Sequence, residues 1–203
     1  MDLTIPGLYI VAGSCGLGKT YLIQHLITHL WSKGKFKYGL VMTATKFSDQ
    51  FLYLPQEYVH NYTEERLQKF MKLQKEKRVP AFLILDDIIG LMNFNKPLIN
   101  HLFTTFRHYN ITTLLLTQYI YKTPPTIREQ ANYCFCFNMK QDQSMKAIYE
   151  TYFCAHFKYE EYKSLQNYHT QDHYCLVIDN KQNDMKKRYM KFKAQPCTQK
   201  ITF

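Results

Sequence analysis

Gly13-Ser14-Cys15-Gly16-Leu17-Gly18-Lys19-Thr20 stands directly after the apolar run Leu8-Tyr9-Ile10-Val11-Ala12 and directly before Tyr21-Leu22-Ile23-Gln24-His25-Leu26-Ile27, which has the apolar spacing of a helix. A strand, a complete G-x-x-x-x-G-K-T loop and a helix in that order make a nucleotide phosphate cradle and place the chain among α/β proteins. Its glycines let the backbone approach an anion closely, so successive N–H groups from about Cys15 to Lys19 converge on phosphate oxygens at a helix N-terminus. The whole loop, Gly13, Ser14, Cys15, Gly16, Leu17, Gly18, Lys19 and Thr20, is therefore the expected cofactor-binding segment for a nucleotide. Lys19 is expected to reach the β and γ phosphates as a point charge, with the Thr20 hydroxyl in a Mg²⁺ coordination position beside them.

Working outward, Tyr38-Gly39-Leu40-Val41-Met42-Thr43-Ala44 reads as a second strand. Asn61 to Arg78 reads as a helix: Leu67, Phe70, Met71 and Gln74 repeat at helical spacing, and acids lie early and bases late, as the helix dipole prefers. Pro80 closes it. Ala81-Phe82-Leu83-Ile84-Leu85 is apolar throughout, as a central parallel strand buried on both faces requires, and it ends in Asp86-Asp87. Two adjacent carboxylates are costly there without a cation. Asp86 is expected to hold Mg²⁺, and Asp87 to orient or deprotonate the attacking water.

Beyond Pro97, a short amphipathic helix carries Leu98, Leu102, Phe103 and Phe106 and leads into Arg107-His108-Tyr109-Asn110. The third apolar strand, Ile111-Thr112-Thr113-Leu114-Leu115-Leu116-Thr117, ends in Gln118. That amide can hydrogen-bond the γ-phosphate or the attacking water. Ala131 to Met139 reads as a further strand, and 143 to 167 as helical with many aromatics. Tyr174–Ile178 and Met185–Lys193 read as a hairpin joined by the polar turn 179–184. Its second strand carries Lys186, Lys187, Arg188, Lys191 and Lys193, able either to track a DNA backbone or to protect a sheet edge.

The succession GSCGLGKT, FLILDD, FRHYNITTLLLTQ and PPTIREQANYCFCF resembles the FtsK–HerA superfamily of DNA-pumping ATPases, and within it the compact genome-packaging ATPases of large DNA viruses and virophages. The likeness runs over roughly residues 5 to 193. It implies a RecA-like P-loop NTPase with a mostly parallel central sheet, helices on both faces and a C-terminal β-hairpin. It also implies an ATP-hydrolysing motor that moves double-stranded DNA, without sequence preference, into a preformed capsid. Such motors work as homo-oligomeric rings, here expected to be hexameric, against a capsid or portal vertex protein. The resemblance matches Lys19 and Thr20 to the phosphate-loop pair, Asp86 to the metal-associated acid and Gln118 to the sensor glutamine. Arg107 matches an arginine that enters the neighbouring subunit's site, and Arg128 is a second candidate for that role. Many members have Glu where this chain has Asp87, a departure that bears on the catalytic-base assignment.

Composition sets the outer bounds. The 203 residues, 46% hydrophobic, are enough for one α/β domain: a core over about 5–140, C-terminal helices and hairpin over 141–193, and a tail over 194–203. A net charge of +10 favours a polyanionic partner such as nucleic acid. The six cysteines lack paired C-x-x-C spacing and suit reduced intracellular thiols, and Cys154, His156, His169, His173 and Cys175 match no familiar zinc pattern. With no leader and no apolar stretch of bilayer-spanning length, the expectation is an intracellular protein with no membrane segment. The resemblance implies a host-cell location, in viral factories, cytoplasm or nucleus, and association with virions.

Two rival classes are separable. A superfamily 3 replicative helicase also pairs a phosphate loop with an Asp-Asp strand, but its third strand usually closes with Asn rather than Gln118. A nucleoside or nucleotide kinase of this size calls for an arginine-rich lid and a substrate-binding acid–arginine motif, which the sequence does not offer. A non-catalytic nucleotide-binding adaptor requires Asp86, Asp87 and Gln118 to be idle.

Overall fold

The computed structural model describes residues 3–44, 49–197 and 200–201. Its elements, in chain order, are β1 (Leu8–Ala12), α1 (Lys19–Ser32), β2 (Tyr38–Thr43), β3 (Val59–Asn61), α2 (Glu64–Lys77), β4 (Ala81–Asp86), α3 (Pro97–Thr105) and β5 (Ile111–Thr117). There follow α4 (Pro125–Gln130), β6 (Tyr133–Cys136), α5 (Asp142–Ile148), α6 (Tyr159–His169), β7 (Cys175–Asp179), α7 (Met185–Arg188) and β8 (Tyr189–Phe192). The strands form one eight-stranded sheet in the order β3-β2-β4-β5-β1-β6-β7-β8. Every neighbouring pair from β3 to β6 is parallel, whereas β6–β7 and β7–β8 are antiparallel. The expected mostly parallel α/β architecture with a C-terminal antiparallel hairpin is thus borne out.

Continuous apolar runs form the central strands because both sheet faces are covered. Successive side chains alternate: Leu8, Ile10 and Ala12 join one core with residues of α2, α3, α5 and α6, while Tyr9 and Val11 join a second core against Leu22, Ile23, Leu26 and Ile27 of α1. Phe192, Ala194 and Ile201 pack on this second face, so the C-terminal segment lies over α1 rather than trailing from the domain.

Four boundaries differ from the sequence reading. The strand expected over Ala131 to Met139 is confined to β6, Tyr133–Cys136. The second helix begins at Glu64, where the Thr63 hydroxyl caps it by accepting from Arg66 N–H at 3.3 Å, and the preceding residues Val59–Asn61 pair with β2 as β3. The expected helix over 143–167 is broken: a π turn at Tyr149–Phe153 follows α5, and α6 starts afresh where Lys158 N–H donates to Glu161 Oε2 at 2.7 Å. Aromatic packing of Phe153 on Tyr162, with centroids 4.7 Å apart, holds the two pieces together. The last strand is shorter than Met185–Lys193 because Asp184 caps a helical turn, its carboxylate accepting from Lys186 N–H at 3.0 Å. Lys186, Lys187 and Arg188 therefore ride on α7, with Lys191 on β8 and Lys193 just beyond it.

Candidate active site

The carboxyl ends of β1, β5 and β4 lie side by side, with Ala12 opposite Thr117 and Leu116 opposite Asp86. The phosphate loop follows β1, the acid pair closes β4, and Gln118 follows β5 between them. Topology alone therefore collects residues far apart in sequence at one edge, where open α/β sheets bind ligands.

Backbone bonds fix the loop at both flanks. Gly13 N–H donates to Thr117 O at 3.2 Å, Ser14 N–H to Asn138 O at 3.0 Å, and Phe137 N–H to Ala12 O at 2.8 Å. The buried Gln166 amide donates to Phe137 O at 2.7 Å, which steadies the β6 side. A Cβ at residue 13 would stand 2.5 Å from the Phe137 Cβ, so this close crossing requires Gly13. Gly18 caps α1 at φ 101°, a left-handed conformation that turns the chain into the helix. With Ser14 N–H committed and the Ser14 hydroxyl accepting from Lys140 N–H at 3.3 Å, Ser14 anchors the loop, and the cradle proper starts at Cys15.

Lys19 is buried, and its ammonium donates to Gly13 O at 2.8 Å and Ser14 O at 2.9 Å. Burial lowers its pKa, while the carboxylates of Asp87 and Asp86 act in the opposite direction. Asp86, at the end of β4, is 8% exposed; burial and the neighbouring Asp87 push its carboxyl up to about 6, against partial relief from Lys19. Asp87 adopts φ 52° and is exposed. Its backbone N–H donates to Leu116 O at 3.2 Å, and its carboxylate accepts from both the backbone N–H of Gln118, at 3.3 Å, and the Gln118 side-chain amide. A non-glycine residue in the left-handed region at a strand end is a strained backbone of the kind found at functional sites.

These groups face a cleft of about 1020 Å³ whose walls include Lys19, Thr20, Asp86, Asp87 and Gln118. The donor set fits a hard divalent cation. Thr20 offers a hydroxyl, and Asp86 offers a buried carboxylate whose ionised form needs an opposing charge, completed by phosphate and water oxygens. Mg²⁺ would be held by Thr20 and Asp86 and would offset the negative charge of the phosphates.

Arg107 lies elsewhere, exposed on the turn before β5 at the opposite end of that strand, with its guanidinium 5.3 Å from the Phe106 ring centroid. Arg128 in α4 is buried, and its Nε and Nη1 have no hydrogen-bond partner among the described residues. The Cys/His group is dispersed: Cys175 is buried in β7, Cys154 is exposed, and His173 lies against the phosphate loop with Nδ1 3.4 Å from Leu17 O.

Sequence reasoning missed part of the cleft wall: Tyr21, Lys122, His173, Lys193, Ala194 and Pro196. No local motif marks them. The one local signal was Tyr21, a large ring on the first turn of a helix, directly after the loop.

A strand, a glycine-rich loop and a helix in succession, an acid pair closing β4 and a polar amide at the end of the intervening strand define the molecule as a P-loop NTPase domain. Residues 6–181 match the Poxvirus A32 protein family. The chain belongs to that family. It is 30% identical to protein 075L of Invertebrate iridescent virus 6 over 185 residues, covering 86% of this chain and 71% of the relative. Among solved structures, the genome packaging NTPase B204 from Sulfolobus turreted icosahedral virus 2 in complex with AMPPCP superposes with a TM-score of 0.69 at 19% identity, covering 95% of this chain and all 100% of B204. EssC (ATPases 2 and 3) from Geobacillus thermodenitrificans gives a TM-score of 0.59 at 11% identity, covering 86% of this chain and 38% of EssC. At these identities the structural likeness establishes the fold, and the family expected from the sequence is borne out.

Proposed function

We propose that this chain is an ATP hydrolase that drives double-stranded viral DNA into a capsid. The observation that carries the proposal is the convergence of Lys19, Asp86, Asp87 and Gln118 at the ends of adjoining parallel strands, in a chain of a poxvirus protein family. Solved structures of B204 described as a genome packaging NTPase, with AMPPCP and with ATP-gammaS, support both the nucleotide and the viral role.

In this reading Lys19 and the N–H groups from Cys15 onward hold the phosphates, while Thr20 and Asp86 take the Mg²⁺ site. Asp87 accepts a proton from the attacking water, and Gln118 fixes that carboxylate and senses the γ-phosphate. Arg107, remote from its own cleft and exposed, serves the neighbouring subunit in a ring, taken as a hexamer. There its guanidinium stabilises charge on the transferring phosphoryl group. The positive chain, at +10, contacts DNA phosphates rather than base edges, so binding is insensitive to sequence and weakens with salt. A capsid or portal vertex protein anchors the ring, and the place of action is inside the infected cell. Among the described residues no helix is long and apolar enough to cross a membrane.

Displacement of a triplex-forming strand from duplex DNA, fuelled by ATP, tests translocation. Wild-type protein is expected to release the strand and Lys19→Ala to leave it bound; ATP hydrolysis without strand release would contradict the motor.

A further inference from the structure

The far end of the cleft is not accounted for by the catalytic groups. Its walls are Tyr21, from the first turn of α1, and Lys193, Ala194 and Pro196, from the segment after β8. Tyr21 is 58% exposed.

The segment after β8 is tied across α1 at several points. The Phe192 ring lies 5.6 Å from the His25 ring, His25 is hydrogen-bonded to the Gln195 backbone, and the Gln24 amide donates to Cys197 O at 2.8 Å. Further on, Ile201 is buried, and its N–H donates to Tyr53 O at 2.8 Å. Residues 192–197 therefore form a strap over the first half of α1, extending the wall begun by Thr20 and Tyr21.

The direction of a bound nucleotide follows from the catalytic end. With its γ-phosphate toward Asp87 and Gln118 and its β-phosphate on Lys19, a triphosphate leaves the cradle beside Thr20 and Tyr21, facing the strap. A cleft of about 1020 Å³ accommodates more than three phosphates; it has the size of a whole-ligand pocket. Its far walls are an aromatic ring, an alanine and a proline, surfaces that suit the face of a base.

We infer that the base and ribose of the nucleotide bind between Tyr21 and the strap residues 193–196, so that the C-terminal segment is a specificity element of the ATP site. The inference rests on the ATP reading and assigns it a nucleoside subsite. Gln24 is a positioning residue, acting through the Cys197 carbonyl it holds.

The test is equilibrium binding of ATP and of inorganic tripolyphosphate to the full chain, each with Mg²⁺. Wild-type protein is expected to prefer ATP by about tenfold or more, the size of a single base-stacking contribution. Tyr21→Ala, Ala194→Trp and Gln24→Ala should each remove most of that preference while leaving tripolyphosphate affinity within about twofold, the precision of such a comparison. Tyr21→Phe should keep it. Equal affinity of wild-type protein for ATP and tripolyphosphate would overturn the subsite and leave the phosphate cradle standing. Equal weakening of both ligands by the variants would also overturn it, because the damage would then lie in the loop. Failure of wild-type protein to bind either ligand would overturn the ATP reading itself.

Discussion

Gln118 holds both carboxylate oxygens of Asp87, one through its backbone N–H at 3.3 Å and the other through its side-chain amide. The left-handed backbone at Asp87, φ 52°, makes this possible by turning the second acid out of β4 toward the end of β5. Asp86 stays in strand conformation and is buried. One change of backbone sign thus separates two adjacent acids into a buried carboxylate and an exposed, amide-fixed one.

Asp87→Asn is expected to lower kcat by about 10²–10⁴, the range of a lost general base, with ATP affinity nearly unchanged. Gln118→Ala should follow it in the same direction, because the carboxylate loses the amide that fixes it. Steady-state hydrolysis and nucleotide titration of the same preparations separate kcat from binding. A rise in Kd that accounts for the whole loss would remove Asp87 from the chemical step.

Asp86 gives a pH dependence whose sign is fixed by its surroundings. Its carboxyl is raised from the ordinary 3.8 to about 6, first by burial and then by Asp87. Without a cation, the folded chain between these values keeps a proton that the unfolded chain has released. Stability of the metal-free protein therefore falls as pH rises through this window. Asp86→Asn removes the penalty: in chelator at pH 7.5 its thermal midpoint should exceed that of the wild type by a few degrees, with the gap closing toward pH 4.5, while hydrolysis is lost. A midpoint difference that does not change with pH would contradict this assignment.

Arg107 is exposed and makes no ion pair among the described residues, so Arg107→Ala should leave the thermal midpoint unchanged. If it serves the neighbouring site, hydrolysis should drop by about 10³ or more, the effect of a phosphoryl-transfer arginine. Mixing Arg107→Ala with Lys19→Ala subunits should restore part of the activity, since each supplies the half-site the other lacks. No recovery in demonstrably mixed rings would overturn the assignment in trans.

Arg128 separates from Arg107 by burial. A guanidinium with two buried nitrogens lacking partners is replaceable by an apolar chain of similar length with little loss or a gain in stability. Arg128→Met is expected to match or exceed the wild-type midpoint and to keep hydrolysis within a few-fold. Loss of hydrolysis with the fold intact would transfer the trans role to Arg128.

The phosphate loop, Asp86 and Gln118 were legible because each follows an apolar strand whose periodicity announces it, and parallel pairing then brings strand ends together. The conformation of Asp87 was not, since it depends on the bond from its N–H to Leu116 O in the next strand. The strap is not legible in the sequence because residues 194–197 carry no periodicity; their place is set by contacts with Gln24 and His25, far away in sequence. The basic hairpin was half legible: its charges were evident, but the Asp184 cap that lifts Lys186 and Lys187 onto a helical turn competes locally with strand formation. Arg188 is engaged structurally, donating to Gln182 O at 3.1 Å and Asn180 Oδ1 at 2.9 Å, which leaves Lys186 and Lys187 as the freer charges for a phosphate backbone.

The most direct measurement is steady-state ATP hydrolysis without nucleic acid, with single-stranded DNA and with double-stranded DNA, at low and moderate salt, with Lys19→Ala as the blank. Stimulation mainly by the duplex, independent of its sequence and diminishing with salt, is the expected result for a genome-packaging motor. Preferential stimulation by single strands, or no response to DNA in demonstrably assembled protein, would contradict it.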